Sequence, residues 1–219
     1  RRAGSGREAG GILLADAEEA FAQQAPDGLP GDDFFYEHVH LTFEGNYLLA
    51  RTVAEQVARL LPHDVKVRVS EGQPWPTVAD CARRLSWSDR NRHAALLGMW
   101  GRLNNPPFTQ QRNHDAQVRR LAGLLESLAP ATQPAALRTA LAVCREAVVA
   151  TPDDPVLHAQ LAELCRLTDD LAGAAAAARR VVELLPSGAE GWHELGLILV
   201  AQNQDESAAA AFRQAAELD

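Results

Sequence analysis

The sequence PDDPVLHAQLAELCRLTDDLAGAAAAARRVVELL, residues 152–185, is followed directly by a second stretch with the same pattern. That stretch, residues 186–219, reads PSGAEGWHELGLILVAQNQDESAAAAFRQAAELD, so the offset is 34 residues. At this offset the aligned pairs are His158 with Trp192, Leu161 with Leu195, Ala162 with Gly196, Ala174 with Ala208 and Ala178 with Phe212. Each stretch contains two segments with helical spacing of apolar residues, which predicts a pair of helical hairpins.

Two short strings within these stretches are typical of one repeat family. W-x-x-L-G occupies residues 192–196, and A-x-x-x-F occupies residues 208–212. With the 34-residue period they resemble the tetratricopeptide repeat (TPR) family, whose repeats are helical hairpins stacked into a solenoid. The small residues at the aligned positions would let the two helices of a hairpin approach closely, and bulky residues would fill the groove between hairpins.

A third, more degenerate repeat precedes the two regular ones. Counting back another 34 residues places Ala140, Cys144 and Ala147 in the second helix of such a repeat. Its first helix is expected within residues 111–128, with extra residues at the turn 131–134. We therefore divide this part of the chain into repeats at 109–151, 152–185 and 186–219, preceded by a helical connector at 63–108.

Composition limits the classes of function. Hydrophobic residues make up 47% of the 219 residues and charged residues 23%, which is typical of a folded protein. The sequence contains no run of about 18 apolar residues, so it predicts no membrane span. Residues 77–120 contain eight arginines and three aspartates but no lysine. We interpret these arginines as solvated or paired with the acidic flanks, and we expect no nucleic-acid partner.

The cysteines predict neither a disulfide framework nor a metal site. Cys81, Cys144 and Cys165 form no C-x-x-C pair, and each lies in a helical pattern, where a free cysteine behaves as a small buried hydrophobe. We expect no cofactor and no bound metal. The visible sequence carries no targeting signal, which leaves the cytoplasm as the default location and the true compartment unknown.

The N-terminal part predicts alternating strands and helices. GILLAD, residues 11–16, has the pattern of a buried strand, and a short helix follows it. A second helix is predicted over residues 44–61, where the apolar residues at 49, 53, 57 and 60 have helical spacing. VKVRV, residues 65–69, alternates apolar and basic residues and predicts a short edge strand.

FFYEHVHLTFEGNYLLA, residues 34–50, places Glu37, His38 and His40 just before that second helix. Three interpretations are open. The two histidines could bind a metal with a third ligand from His63, His93 or a remote acid. Glu37 and His40 could form a catalytic acid–histidine pair. The three residues could also be only a polar turn that caps the helix.

The spacing of this stretch resembles the last conserved block of the SGNH/GDSL hydrolase family. That block usually reads D-x-x-H-x-x-x-x-G before a helix, and here Glu37, His40 and Gly45 occupy its positions. The resemblance implies that His40 is a general base for a serine nucleophile and that Glu37 orients it. The family acid is normally aspartate, and the G-D-S block and the glycine and asparagine blocks of the oxyanion hole are absent. Ser5 lacks the strand and helix that flank such a nucleophile.

Together the resemblances are to bacterial proteins that join an SGNH-like domain to C-terminal TPR repeats. They imply a mainly α chain, in which residues 1–62 are the C-terminal fragment of an α/β domain with a parallel sheet. Because residue 1 is not Met and the nucleophile is missing, we expect the chain to start inside a longer protein.

Two functional hypotheses follow from this organisation. In the first, the chain carries the acid–histidine part of an ester hydrolase or acyltransferase, and the serine that attacks the ester or acyl substrate lies upstream. In the second, it is a non-catalytic scaffold that binds a protein or peptide and keeps a degenerate hydrolase-like domain. Helical phase predicts that the groove residues are Glu163, Arg166, Glu190, His193 and Leu197. Because their charges are mixed, they do not indicate a particular ligand.

Overall fold

A computed structural model describes residues 12–62, 65 and 74–219. The chain forms two compact units, Arg1–Val78 and Ala79–Asp219. The described residues are mainly helical, which confirms the predicted class, and none of their helices is long and apolar enough to cross a membrane. The helices are α1 (Ala17–Gln24), α2 (Phe43–Leu60), α3 (Val78–Arg84), α4 (Asp89–Leu103), α5 (His114–Leu128), α6 (Pro134–Ala150), α7 (Pro155–Leu167), α8 (Leu171–Leu184), α9 (Ala189–Ala201) and α10 (Asp205–Leu218). Short 3-10 turns occur at Pro26–Gly28, Phe108–Gln110 and Ala129–Thr132.

In the first unit, aromatic packing joins α1 to the loop before α2. Asp16 caps α1 by accepting a hydrogen bond from the Glu19 N–H at 3.0 Å. Phe21 on this helix is buried, and its ring centroid lies 5.2 Å from that of Phe34 in an edge-to-face arrangement and 5.7 Å from that of Phe35. These contacts hold the Glu37–His40 loop against α1.

The predicted strand at GILLAD is wrong for the described residues. Residues 13–16 have no regular secondary structure, and Ile12 and Leu14 are 75% and 70% exposed. A strand needs a neighbour to satisfy its backbone N–H and C=O groups, and pairing in the described ranges is limited to isolated bridge residues such as Phe35 with Leu41. The parallel sheet of the resemblance is therefore not present there. Of the predicted edge strand at residues 65–69, Val65 is helical and residues 66–69 lie outside the described residues.

The second predicted helix forms, but its apolar stripe is not a core. Helix α2 covers Phe43–Leu60, one residue from the predicted bounds at each end. Val53, Val57 and Leu60 remain between 43% and 53% exposed. Helix α1 packs against α2 but leaves this stripe partly exposed. Helical spacing in a sequence predicts which residues share a face, but it does not predict which neighbour covers that face.

In the second unit, the 34-residue period of the sequence is a period of the structure. Helices α7 and α9 begin and end 34 residues apart, and so do α8 and α10. Helix α7 packs against α8, α9 packs against α10, and α8 joins the two hairpins by packing against α9. The interior of these contacts consists largely of small side chains, including the fully or almost fully buried Ala162, Ala174, Ala178, Ala208 and Ala211.

The turns of the two regular hairpins have the same backbone conformation and the same hydrogen bonds. Asp169 and Asn203 end α7 and α9 in the left-handed region, with φ of 62° and 58°. The N–H of Asp170 donates to the Cys165 carbonyl at 2.9 Å, and the N–H of Gln204 donates to the Leu199 carbonyl at 2.9 Å. Both turns are Schellman motifs, which satisfy carbonyl groups that the helix end would leave without a donor.

A second repeated hydrogen bond ties each hairpin to the turn before it. Trp192 Nε1 donates to the Pro186 carbonyl at 2.9 Å, and His158 Nε2 lies 2.8 Å from the Pro152 carbonyl. Because a carbonyl can only accept, the hydrogen of His158 lies on Nε2. His158 is buried and has the same packing role as the tryptophan, as its aligned position predicts.

The predicted degenerate repeat differs from the regular ones in how its helices pair. Helix α6 packs on α7 in the way that α8 packs on α9, but α5 packs against α4. Residues 129–133 separate α5 from α6, whereas only residues 168–170 and 202–204 separate the helices of the regular hairpins. The longer connection contains the 3-10 turn Ala129–Thr132, which contacts α4, α5 and α6 and takes the place of a direct hairpin contact.

The cysteines of this unit are packing residues, as predicted. Cys144 on α6 and Cys165 on α7 are 0% and 1% exposed, and burial raises the pKa of both thiols. Cys81 on α3 is partly exposed, and all three are free. A buried thiol with a raised pKa forms little thiolate and is therefore unreactive.

Replacing Gly196 by alanine should destabilise the last hairpin. A Cβ at this position would lie 2.6 Å and 2.7 Å from two carbons of the Phe212 ring. Overpacking of this kind costs about 1–3 kcal/mol. The expected result is a lower urea midpoint for Gly196→Ala, measured by circular dichroism.

Gly98→Ala in α4 is the matched control, because a Cβ there has no neighbour within 4 Å and alanine favours helix.

The preceding repeat has Ala162 and Ala178 at the positions of Gly196 and Phe212. The double variant Gly196→Ala/Phe212→Ala should therefore lose less stability than the sum of the single variants. A single Gly196→Ala variant as stable as the unchanged protein would contradict this packing.

Candidate functional site

The loop that carries Glu37 and His40 is closed by its own backbone. The Tyr36 N–H donates to the His40 carbonyl at 2.8 Å, and the Thr42 N–H donates to the Phe34 carbonyl at 2.8 Å. The chain therefore turns back on itself between residues 36 and 40. Thr42 then caps α2 by accepting from the Gly45 N–H at 3.1 Å, so the loop leads directly into the helix.

Gly45 lets the loop lie directly on the first turn of α2. A Cβ at this position would be 2.4 Å from the Phe34 carbonyl oxygen and 3.0 Å from a methyl carbon of Leu41. The backbone oxygen cannot move aside without opening the loop. The glycine that completes the sequence motif is therefore required by close packing between the loop and the helix.

The Glu37 carboxylate is the centre of the loop. It is buried, and it accepts hydrogen bonds from three successive backbone N–H groups, those of His38 at 2.5 Å, Val39 at 3.1 Å and His40 at 2.9 Å. The Nδ1 atoms of both His38 and His40 also contact the carboxylate. The contact between Glu37 and His40 was predicted from the sequence, whereas no contact was predicted for His38.

These contacts set the charge state of Glu37. Burial alone would raise the pKa of this carboxyl, but the His40 ring and the three backbone N–H groups together hold its pKa below the ordinary value of 4.5. Glu37 is therefore ionised near neutral pH. Its carboxylate favours the hydrogen on His40 Nδ1, and in a neutral ring this leaves Nε2 as the basic nitrogen.

The His40 ring lies at the surface of the loop, beside the buried Glu37 carboxylate. The His40 side chain is 39% exposed. The described part of this unit contains no serine or cysteine, and Ser5 and Ser70 lie outside it. A cavity of about 360 Å³ in the same unit is lined by residues of α1 and α2 and their surroundings, and neither Glu37 nor His40 is among them.

The metal interpretation finds no third ligand in the described residues. Their side chains form no group of three or more His, Cys, Asp or Glu that could hold an ion. His63 lies outside the described residues, and His93 belongs to the second unit. His38 and His40 both turn a ring nitrogen toward Glu37.

The second unit contains a larger groove between the first helices of the two regular hairpins. It has a volume of about 650 Å³, and α7, α8 and α9 form its walls. Glu163, Arg166 and Glu190 line it, among the residues predicted from helical phase. His193 and Leu197 do not, and the His193 ring instead packs 5.6 Å from the Phe212 ring.

Sequence reasoning missed several lining residues that helical spacing could have found. Val156, Ala159 and Gln160 lie one to two turns before Glu163, and Glu194 lies one turn after Glu190. Most of the remaining lining is apolar, from Pro155, Ala162, Ala178, Val181, Leu185 and Ile198.

The charged residues of the groove differ in their partners. Glu163 forms an ion pair with Arg90 of α4. Arg166, Glu190 and Glu194 form no ion pair within the described residues. Among the described residues, the α9 wall therefore carries two carboxylates without a countercharge, and the α7 wall carries one guanidinium.

Comparison with known proteins gives little beyond this geometry. No family model matches the chain, and no curated protein matches its sequence. One solved structure to which it is similar is described as "MamA RS-1 ArsTM double mutant". The two are 22% identical over 80% of this chain and 92% of that one, with a TM-score of 0.40, which is too low to support a conclusion about function.

The Glu37 carboxylate should titrate at a lower pH than an ordinary glutamate. Because its pKa is lowered, the stabilisation from its ionised form is present above the ordinary value of 4.5 and is lost as the pH falls through the lower folded pKa. Amide resonances of His38, Val39 and His40, followed by NMR, should shift with a midpoint below 4.5.

The control is Glu37→Gln, which cannot ionise and should show no such titration in these three amides. A midpoint above 4.5 in the unchanged protein would mean that burial outweighs the hydrogen bonds to this carboxylate.

Proposed function

We propose that this chain is a protein-interaction module of the TPR type, which binds a segment of a partner protein in the groove between α7 and α9. The observation that carries the proposal is the groove itself, with a volume of about 650 Å³ and a mainly apolar lining. Grooves of this size with a few polar groups are typical of binding sites. Helical repeat proteins characteristically present such surfaces.

Exposed apolar side chains at the groove give a reason for a partner to bind. Val156 and Leu185 line the groove and are 62% and 48% exposed. Covering an apolar side chain of this size contributes at most about 1.5–3 kcal/mol. A segment with apolar anchors would therefore gain affinity mainly from these walls.

The surrounding packing supports a groove that exists before the partner arrives. The floor includes Ala178, which belongs to the buried core of the hairpins, and Ile198, which is 2% exposed. The Schellman turns at Asp169 and Asn203 fix the ends of α7 and α9. A preformed site loses little conformational entropy on binding.

Filling the groove should abolish binding. Ala159 lines it and is exposed, so Ala159→Trp would place a large side chain in the space for the partner. Twelve-residue peptides selected from a random displayed library on the unchanged protein should bind Ala159→Trp at least tenfold more weakly, measured by fluorescence anisotropy.

Ala176→Trp on α8 is the matched control, because Ala176 is also exposed but does not line the groove. It should bind the selected peptides like the unchanged protein. Selected peptides that bind all three proteins equally would show that the groove is not the binding site.

A second candidate function rests on the hydrogen bond between Glu37 and His40. We propose that the first unit derives from an SGNH-like ester hydrolase or acyltransferase, with His40 as general base and Glu37 as its orienting acid. This pair has the geometry in which the acid fixes the imidazole tautomer and the other ring nitrogen takes a proton from a serine. The described residues of this unit hold no serine to complete it.

Because the 219-residue sequence contains no G-D-S block, we expect this chain to show no hydrolysis that depends on His40. Turnover of p-nitrophenyl butyrate and covalent labelling by a fluorophosphonate probe should be the same for the unchanged protein and for His40→Ala. A fluorophosphonate label that disappears in His40→Ala would place an activated serine within these 219 residues and overturn this expectation.

A further inference from the structure

We propose that the partner segment is an amphipathic helix with a basic edge, in which two Lys or Arg side chains one turn apart face α9. This inference rests on the proposed function of the groove and names the chemistry of its partner. It follows from the distribution of charge on the two walls.

The acidic wall is formed by Glu190 and Glu194. Both line the groove, and their spacing of four residues puts them on one face of α9. Neither has an ion-pair partner within the described residues, and like charges at this spacing disfavour a helix. Two cationic side chains at the same spacing on a facing helix would offset this repulsion.

The preceding repeat shows that the hairpin does not need this acidic pair. Val156 and Gln160 occupy the positions of Glu190 and Glu194 there, and α7 packs against α8 in the same way that α9 packs against α10. The first turn of α9 favours an acidic residue at Glu190, because the helix dipole is positive there. Glu194 lies beyond that turn, so helix stability gives no reason for its charge.

The opposite wall sets the orientation of the partner. Glu163 on α7 is paired with Arg90, which leaves Arg166 as the unpaired charge of this wall within the described residues. The groove is therefore positive along α7 and negative along α9, with apolar residues between. A partner helix would place its apolar side chains on Val181 and Leu185 and its basic edge against α9, since complementary charge fixes register and excludes acidic competitors.

Two synthetic helical peptides test the charge of the partner directly. Both carry the same leucine stripe at positions i, i+3, i+4 and i+7, and they differ only in having two lysines or two glutamates, four residues apart, beside the stripe. The lysine peptide should bind at least tenfold more tightly in fluorescence anisotropy at low salt. The difference should shrink as salt is added, because exposed charges are screened.

Charge reversal on the protein should reverse the preference. Glu190→Lys/Glu194→Lys is expected to bind the glutamate peptide more tightly than the lysine peptide. Glu206→Lys/Glu217→Lys on α10 is the matched control, because it changes net charge equally at exposed sites that do not line the groove. If the reversed variant fails to fold, Glu190→Gln/Glu194→Gln should bind both peptides equally.

The outcomes separate this inference from the proposed function. Equal binding of the two peptides, or an equal effect of the α10 control, overturns the basic-edge proposal. Library peptides that lose binding to Ala159→Trp but show no excess of Lys or Arg overturn the basic edge and leave the groove as a binding site. Binding that Ala159→Trp does not weaken overturns the proposed groove itself.

Discussion

Close contact between helices at alanine and glycine positions determines the architecture of the second unit. Ala174 and Ala208 are almost fully buried at equivalent points of the two regular hairpins, where a larger side chain would push the helices apart. This short separation brings the first helices of the hairpins close enough to share a groove. The Schellman turns and the ring N–H bonds of His158 and Trp192 then fix each hairpin in register.

The sequence predicted what depends on local spacing. The bounds of α2, the repeated helices and the buried cysteines follow from periodicity and from the 34-residue offset, because neighbouring residues decide them. The pairing of α5 with α4 and the exposure of Ile12 depend on which distant element packs alongside. A short sequence motif does not predict that element. In particular, a sequence with a strand pattern forms a strand only if a neighbouring strand can pair with its backbone.

The same division applies to the candidate sites. The contact of Glu37 with His40 was predictable because the two residues are three positions apart in a tight turn, whereas the contact with His38 required the shape of that turn. In the groove, Glu163 and Glu190 were predictable from helical phase. His193 was not, because its ring packs against the Phe212 ring and is not part of the groove lining, and helical phase does not record that contact. Glu37 also shows why structure and chemistry are hard to separate here, since one carboxylate closes the loop and orients the histidine.

The fit of Phe212 over Gly196 constrains the order in which this repeat can diverge. The preceding repeat has alanine at both equivalent positions, so both versions of the pair are compatible with the fold. Starting from Gly196 and Phe212, a lineage that first enlarges the glycine meets the ring at 2.6 Å, whereas one that first shortens the phenylalanine leaves only a gap at a partly exposed site. Drift toward the alanine pair that begins at Phe212 avoids the overlap that a start at Gly196 meets, so among related repeats intermediates with glycine and a small partner should be more common than those with alanine and phenylalanine.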